Sequence, residues 1–471
     1  MLFNTLDFAV FLVLVLGLYA VLPHRAQNLL LLVASYFFYG VWDWRFAGLL
    51  LLTTTIDHWI ARALDGTTEA RRRKRLLLAS VFLNLGILGV FKYFDFFAAN
   101  AERLLRGLGL EVPALTLGVI LPVGVSFYTF QELSYVVDVY RGDLKPARRF
   151  TDFALFVSFF PQLVAGPIER ATRLLPQIQE PRRITWSGVQ SGTWLILLGT
   201  FKKVFVADNL AHLVDAVYDP SAKPTGLEQW LGVYAFAFQI YCDFAGYSDI
   251  ARGSARLMGF ELMKNFDLPY FATSLRELWR RWHISLTTWL RDYLYIPLGG
   301  NRVGKSRHYF NMLVTMILCG FWHGAAWVFV LWGLLHAIAL ALQHALGPAL
   351  ARLPTRGRAA WTWKALGWLL AFNLWCLFFV PFRSADLAQT RDVFVNLFSD
   401  WHVGMAAAWL PSALFFVVPL VLVELHESLS RRDEALLDTP LLVRAPVYAL
   451  LFAALLLFAE DHARPFIYYQ F

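Results

Sequence analysis

The chain is poor in charge: only 16% of its 471 residues are Asp, Glu, Lys or Arg. Soluble domains carry about a quarter, so an ordinary water-facing surface is excluded. It holds only three cysteines, Cys242, Cys319 and Cys376, all in apolar runs and none in CxxC spacing. That excludes a disulfide framework and leaves the thiols as small buried hydrophobes. No HExxH pair and no clustered His/Cys set of ligand spacing is present, so no metal is expected. There is no glycine-rich phosphate loop. The nearest approach to a serine nucleophile elbow, Gly246–Ile250, reads GYSDI and breaks the pattern. No low-complexity linker divides the chain, and no internal repeat is visible. The missing repeat weakens a secondary-transporter reading and favours one membrane domain over residues 1–471. No basic, aromatic-interleaved surface calls for nucleic acid.

What is there is apolar. Hydrophobic and aromatic residues make up 58% of the chain, against about 45–50% in a soluble domain. Long apolar runs recur from Phe8–Leu22 to Val447–Phe458. At about 20 residues per crossing they predict an all-α polytopic membrane protein with about ten to twelve helices. Leu117–Val139 is one expected span. Met312–Leu346 is long enough for a kinked helix or two half-spans. The first charge is Asp7, so no basic segment precedes Phe8–Leu22, which is expected to stay as the first span. Basic loops set the orientation. The cluster Arg71, Arg72, Arg73, Lys74 and Arg75 is placed in the cytoplasm, and Arg141, Lys145, Arg148 and Arg149 fall on the same side. Counting back puts the N-terminus outside. These loops account for the net charge of +8.

Three segments interrupt the spans. Phe159–Glu169 carries two prolines and a glycine in apolar surroundings, and such backbone is tolerated at membrane depth only when buried in protein or lining a wet cavity. Asn265–Gly300 is amphipathic, rich in Trp and Arg, and fits a re-entrant or interfacial pair of short helices. Around Phe321-Trp322-His323, Gly320 and Gly324 permit close helix approach and are expected to leave room for a substrate beside His323.

Ionisable groups inside spans are functional candidates. His283, in RRWHISLTTWLRDYLYIPLGG, and His323, in GFWHGAAW, stand out. Each also has a bland reading: His323 as a packed histidine satisfied by a backbone carbonyl, His283 as an interfacial residue beside Arg280 and Arg281. His336 lies on another helical face from His323 and reads as structural. His308, beside Lys305 and Arg307, reads as facing an aqueous boundary. Asp243, Ser248 and Asp249 sit in YCDFAGYSDIARG, and Gln131, Glu132 and Asp138 in the fifth span. The carboxylates are expected to pair with the arginines of Arg276–Arg291; the alternative is that they line a polar passage. Asp243 and Asp249 do not share one helical face and need not share a role. Arg291 and Asp292 are expected to pair and anchor their segment, with Trp279, Trp282 and Trp289 around them. Gln162 and the Gly166-Pro167 break are candidates for shaping a passage. The chemistry left open is acid–base work by imidazole, which can take a proton from a hydroxyl near neutral pH.

Four motifs resemble the membrane-bound O-acyltransferase family, most closely its bacterial polysaccharide branch. They are SFFPQLVAGPIER at Ser158–Arg170, YCDFAGYSDIARG at Tyr241–Gly253, LRELWRRWHISLTTWLRDYLYIPLGGNR at Leu275–Arg302, and FWHGAAW at Phe321–Trp327. The ending PFIYYQF, Pro465–Phe471, is similar to that of alginate O-acetyltransferase-type members. The resemblance implies a ring of tilted helices around a thin centre with re-entrant helices and a tunnel. It implies that His323 matches the family's catalytic histidine and His283 its second position, histidine or asparagine in different branches. Trp322, Trp282, Gln162, Asp243, Ser248, Asp249, Arg291 and Asp292 are the further candidates for lining the tunnel or substrate. The resemblance also implies a multi-pass protein of the bacterial inner membrane with no bound cofactor. It further implies acetyl-CoA or another acyl thioester as donor substrate on the cytoplasmic side, with a periplasmic acetyltransferase partner and polysaccharide synthesis machinery acting beyond it. Transfer of D-alanine, acetylation of peptidoglycan, and a lipid-linked sugar transporter stay as alternatives.

Overall fold

The computed structural model describes residues 1–471 except 111, 114, 165, 355, 460–463, 470 and 471, with Tyr469 in its backbone only. Among the described residues every regular element is a helix. The chain falls into two units, Met1–Thr193 with Ile250–Met263, and Trp194–Asp249 with Lys264–Phe471.

The first unit contains α1 (Leu6–Val21), α2 (His24–Gly40), α3 (Trp44–Asp65), α4 (Ala70–Leu88), α5 (Phe94–Gly107), α6 (Val125–Arg141), α7 (Phe150–Ser158), α8 (Phe160–Leu163), α9 (Ala171–Gln179) and the start of α10 (Trp186–Thr200). Side chains close the helix starts. The Thr5 hydroxyl accepts the Phe8 N–H, and the Asp43 carboxylate accepts that of Arg45, each satisfying a donor the helix leaves over. The expected span Leu117–Val139 is helical only from Val125. Pro122 brings no N–H, Gly124 turns left-handed at φ +74°, and the N–H groups of Leu117 and Gly118 go to the Asp95 carboxylate instead. Glu132 is fully buried and accepts hydrogen bonds from Thr53 (3.1 Å) and Thr54 (2.8 Å). Asp57 accepts one from Asn84 at 2.6 Å. These links tie α3, α4 and α6. At the first expected break, α7 stops at Ser158 and only the short α8 follows. Ala165 of that segment lies outside the described residues. A Cβ on Gly166 would run into Gln162 and the Pro161 carbonyl, so the turn there needs glycine.

The second unit continues α10 into a π-helical stretch, Phe201–Asp208. It then holds α11 (Asn209–Tyr218), α12 (Gly226–Leu257) as far as Asp249, α13 (Leu275–Arg281), α14 (Ile284–Leu290), α15 (Lys305–His323), α16 (Trp327–Ala345), α17 (Gly347–Leu350), α18 (Gly357–Arg383), α19 (Leu387–Asn396), α20 (Ala406–Ser430) and α21 (Leu441–Phe458). Met312–Leu346 resolves into two helices, broken at Gly324, whose backbone is extended. α15 and α16 meet backbone to backbone. A Cβ on Gly320 would strike the Phe329 carbonyl, and one on Gly333 the Met316 carbonyl. The amphipathic segment forms the expected pair of short helices, α13 and α14.

Among the described residues, five helices are long and apolar enough to cross a bilayer: Ala70–Gly107, Trp327–Ala345, Gly357–Arg383, Ala406–Ser430 and Leu441–Phe458. α1 is apolar but shorter. The other expected runs fall in shorter or more polar helices, α2, α3, α6, α10, α12 and α15. On α21, Leu442 is 90% exposed and Leu457 76%. Such faces suit lipid tails, with backbone polar groups satisfied inside each helix. The protein is all-helical and passes the membrane several times.

Candidate active site

The local structure around His283 is built before its side chain is placed. The Ser274 hydroxyl accepts the N–H of Glu277, and the Glu277 carboxylate reaches back to the N–H of Thr273 (2.9 Å). That fixes the start of α13. Between α13 and α14, His283 stands in the left-handed region at φ +41°, a conformation costing roughly 1–2 kcal/mol for a residue with a Cβ. Buried Asn265 holds the turn. Its carbonyl accepts the Ile284 N–H at 2.9 Å, its Oδ1 accepts the Ser285 hydroxyl at 2.6 Å, and its Nδ2 donates to Ser248 at 2.9 Å. Ser248 therefore reaches His283 through Asn265.

His323 is the last residue of α15. Its ring centroid lies 5.0 Å from that of Trp322, 5.1 Å from Trp332, 5.2 Å from Phe382 and 5.5 Å from Tyr468. The His283 ring lies 4.6 Å from Phe244 and 5.9 Å from Trp322. Phe244 and Tyr468 are themselves 4.9 Å apart. The two imidazoles thus share Trp322 on one side and the Phe244–Tyr468 pair on the other. Both are buried, at 1% and 5% exposure. Two groups able to give or take a proton are set in one aromatic enclosure.

The remaining candidates separate. Trp282 packs on Phe266 (5.0 Å) and Trp375 (5.3 Å), in a cluster that also holds Trp279. Trp279 and Trp282 thus meet at Trp375, while Trp289 lies tilted against Tyr293 at 5.1 Å. Arg291 and Asp292 do pair, at 2.7 Å. Arg291 also lines a pocket of about 480 Å³ with Arg280, Thr287, Thr315, Met316 and Cys319, the last one turn before His323. Gln162 belongs to the first unit, where its amide donates to the Phe156 carbonyl. His336 accepts the Trp279 indole N–H at 3.3 Å, as a structural histidine would. His308 is half-exposed and contacts the Tyr295 hydroxyl at 2.9 Å.

Two expectations need correction. Gly324 does not leave room for a substrate, because a Cβ there would overlap the Phe329 ring. The glycine serves helix packing. The carboxylates of α12 do not pair with the Arg276–Arg291 arginines, which find closer partners such as Glu277 for Arg281 at 2.6 Å. They pair with two lysines of the π-helical stretch. Lys202 lies 2.9 Å from Asp249 and 3.9 Å from Glu424. Lys203 lies 2.8 Å from Asp208 and 2.5 Å from Asp243. The opposite carboxylate oxygen of Asp243 accepts the Ile467 N–H at 2.7 Å. Asn265, Lys202, Lys203 and Tyr468 were not among the candidates. The two lysines had a legible signal, since two cations inside the run Trp194–Val206 must find anions.

The model of the MBOAT, membrane-bound O-acyltransferase family, matches residues 148–382, which include both histidines. The probable alginate O-acetylase AlgI of Pseudomonas putida is 38% identical over 98% of each chain. The chain belongs to the membrane-bound O-acyltransferase family. The Azotobacter vinelandii protein of the same name is 42% identical over 83% of this chain and 77% of its own. The peptidoglycan O-acetyltransferase of Helicobacter pylori is 36% identical over 83% and 79%. As a membrane-bound O-acyltransferase, the protein works in a lipid bilayer and moves an acyl group from a donor to oxygen.

Proposed function

We propose that the protein takes an acetyl group from a cytoplasmic thioester, acetyl-CoA or another acyl thioester, and passes it across the bacterial inner membrane. The group serves O-acetylation of an extracellular, alginate-like polysaccharide, either directly or through the serine of a periplasmic partner. The observation that carries this reading is the shared aromatic enclosure of His323 and His283. The relatives' names supply the acetyl group and the polymer class. The N-terminus is periplasmic, and the basic residues Arg71–Arg75, at the start of α4, and the basic stretch Arg141–Arg149 face the cytoplasm.

His323 acts as general base. Its imidazole takes the proton of the acceptor hydroxyl, the oxygen attacks the thioester carbonyl, the C–S bond breaks, and the proton returns to the leaving sulfur. His283 orients the donor or stabilises the developing oxyanion. The rings keep water from the thioester, which limits wasteful hydrolysis. The pocket lined by Arg280, Arg291 and Cys319 is the approach toward α15 on the donor side, and the two guanidinium groups suit an anionic donor.

The test is His323→Ala in cells that make the polymer. O-acetylation, read by mass analysis of the polysaccharide, is expected to vanish while membrane protein level and polymer length hold. Persisting acetylation would remove His323 from the chemistry. Peptidoglycan is the second reading of the acceptor, favoured by the Helicobacter relative. Acetyl groups found on muropeptides and absent from the polysaccharide would establish it.

A further inference from the structure

We propose that the buried Lys203–Asp208–Asp243 cluster is a positioning device that holds the C-terminal segment Arg464–Tyr468 against His323. The inference rests on the reading of His323 as the reacting histidine.

The segment is no part of a long helix; only a short 3₁₀ turn, Ile467–Tyr469, orders its end. Its place is set by polar links. Asp243 divides its two oxygens, one to the Lys203 ammonium at 2.5 Å, the other to the Ile467 N–H at 2.7 Å. Lys203 also reaches the Pro465 carbonyl, at 3.5 Å. Arg464 is tied separately, to Asp215 of α11 at 2.9 Å. All three members of the cluster are buried. An ionised carboxylate accepts an N–H more strongly than a neutral acceptor does, so Asp243 holds the Ile467 amide firmly.

The neighbouring residues of α12 complete the seat. Phe466 packs on Tyr247 at 4.8 Å and on Phe244 at 5.5 Å. Tyr468 packs on Phe244 at 4.9 Å and faces His323 at 5.5 Å. One wall of the histidine's enclosure therefore comes from a segment pinned at the adjacent amide. The neighbouring Lys202 joins other elements: its partners Asp249 and Glu424 link α12 to α20.

Two variants of the full-length protein, purified in detergent, test this. Asp243→Asn weakens both the ion pair and the grip on Ile467. Ile467→Pro leaves the buried cluster whole and removes the N–H, while also exchanging the Ile467 side chain for a ring that restricts Phe466. Carboxypeptidase trimming, followed by intact mass, reads how firmly the segment is held, independently of activity. Both variants should be trimmed faster than the parent protein. Both should lose roughly 10- to 100-fold in kcat for transfer from acetyl-CoA, as misplacements near 1 Å do, with donor KM little changed. Unchanged trimming in both would overturn the anchoring. Faster trimming with full kcat would overturn the positioning role and leave the acyl-transfer reading intact. Full transfer by His323→Ala would overturn that reading while the trimming result still stood.

Discussion

The second unit buries polar groups in two different ways. Around Lys202, each charge faces its opposite: the ammonium meets Asp249 and Glu424, and the Glu424 carboxylate also accepts the Tyr241 hydroxyl. Around His283 and His323 stand aromatic rings, Trp322, Phe244, Tyr468, Trp332 and Phe382, met edge to face or tilted. The first arrangement pairs opposite charges and joins helices. The second sets two titratable groups among aromatic rings in a low-dielectric enclosure. Burial of a polar group is therefore no guide to its role. What surrounds it is.

The largest effect should separate the two arrangements outright. His323→Gln, which keeps volume and polarity, should cut acetyl transfer by about 10²–10⁴-fold with the melting temperature nearly unmoved, measured by transfer assay and thermal scan on one preparation. The Lys202 cluster should answer in the opposite way. Lys202→Met takes the ammonium from between Asp249 and Glu424 and should cost about 3–5 kcal/mol of stability, seen as a lowered melting temperature, while transfer per folded molecule persists. If Lys202→Met abolished transfer in well-folded protein, the distinction would fail.

Legibility followed chain distance. The histidines announced themselves through apolar context, and nearly every expected apolar run is helical. Short-range structure was readable too: the two short helices flanking His283 and the break after His323. What lay hidden depended on pairings between distant segments. Nothing in the ending Pro465–Phe471 says that Ile467 meets Asp243, 224 positions away. The last two residues of that ending lie outside the described residues. Asn265 reads as an ordinary loop residue until its three hydrogen bonds are seen. Gly324 misled because small size signals either space or close contact, and sequence does not tell which.

Smaller effects sharpen the picture. Gly324→Ala forces the Phe329 ring aside and should destabilise by about 1–3 kcal/mol. Because Phe329 packs on Phe382, 5.0 Å away, and Phe382 on His323, transfer should fall as well. A neutral outcome in both measurements would restore Gly324 as open space. His336→Gln should cost only about 0.5–1.5 kcal/mol through the lost Trp279 bond and leave transfer within a few-fold of the parent. Loss of transfer there would enlarge the reacting set to a third imidazole.

The left-handed backbone at position 283 has a consequence for heredity. Asparagine, aspartate and histidine enter that conformation more readily than other residues with a side chain, while β-branched and bulky ones resist it. The peptide chain's own sterics would screen substitutions here ahead of any selection for catalysis, leaving evolution a short menu whose members can all offer a hydrogen bond.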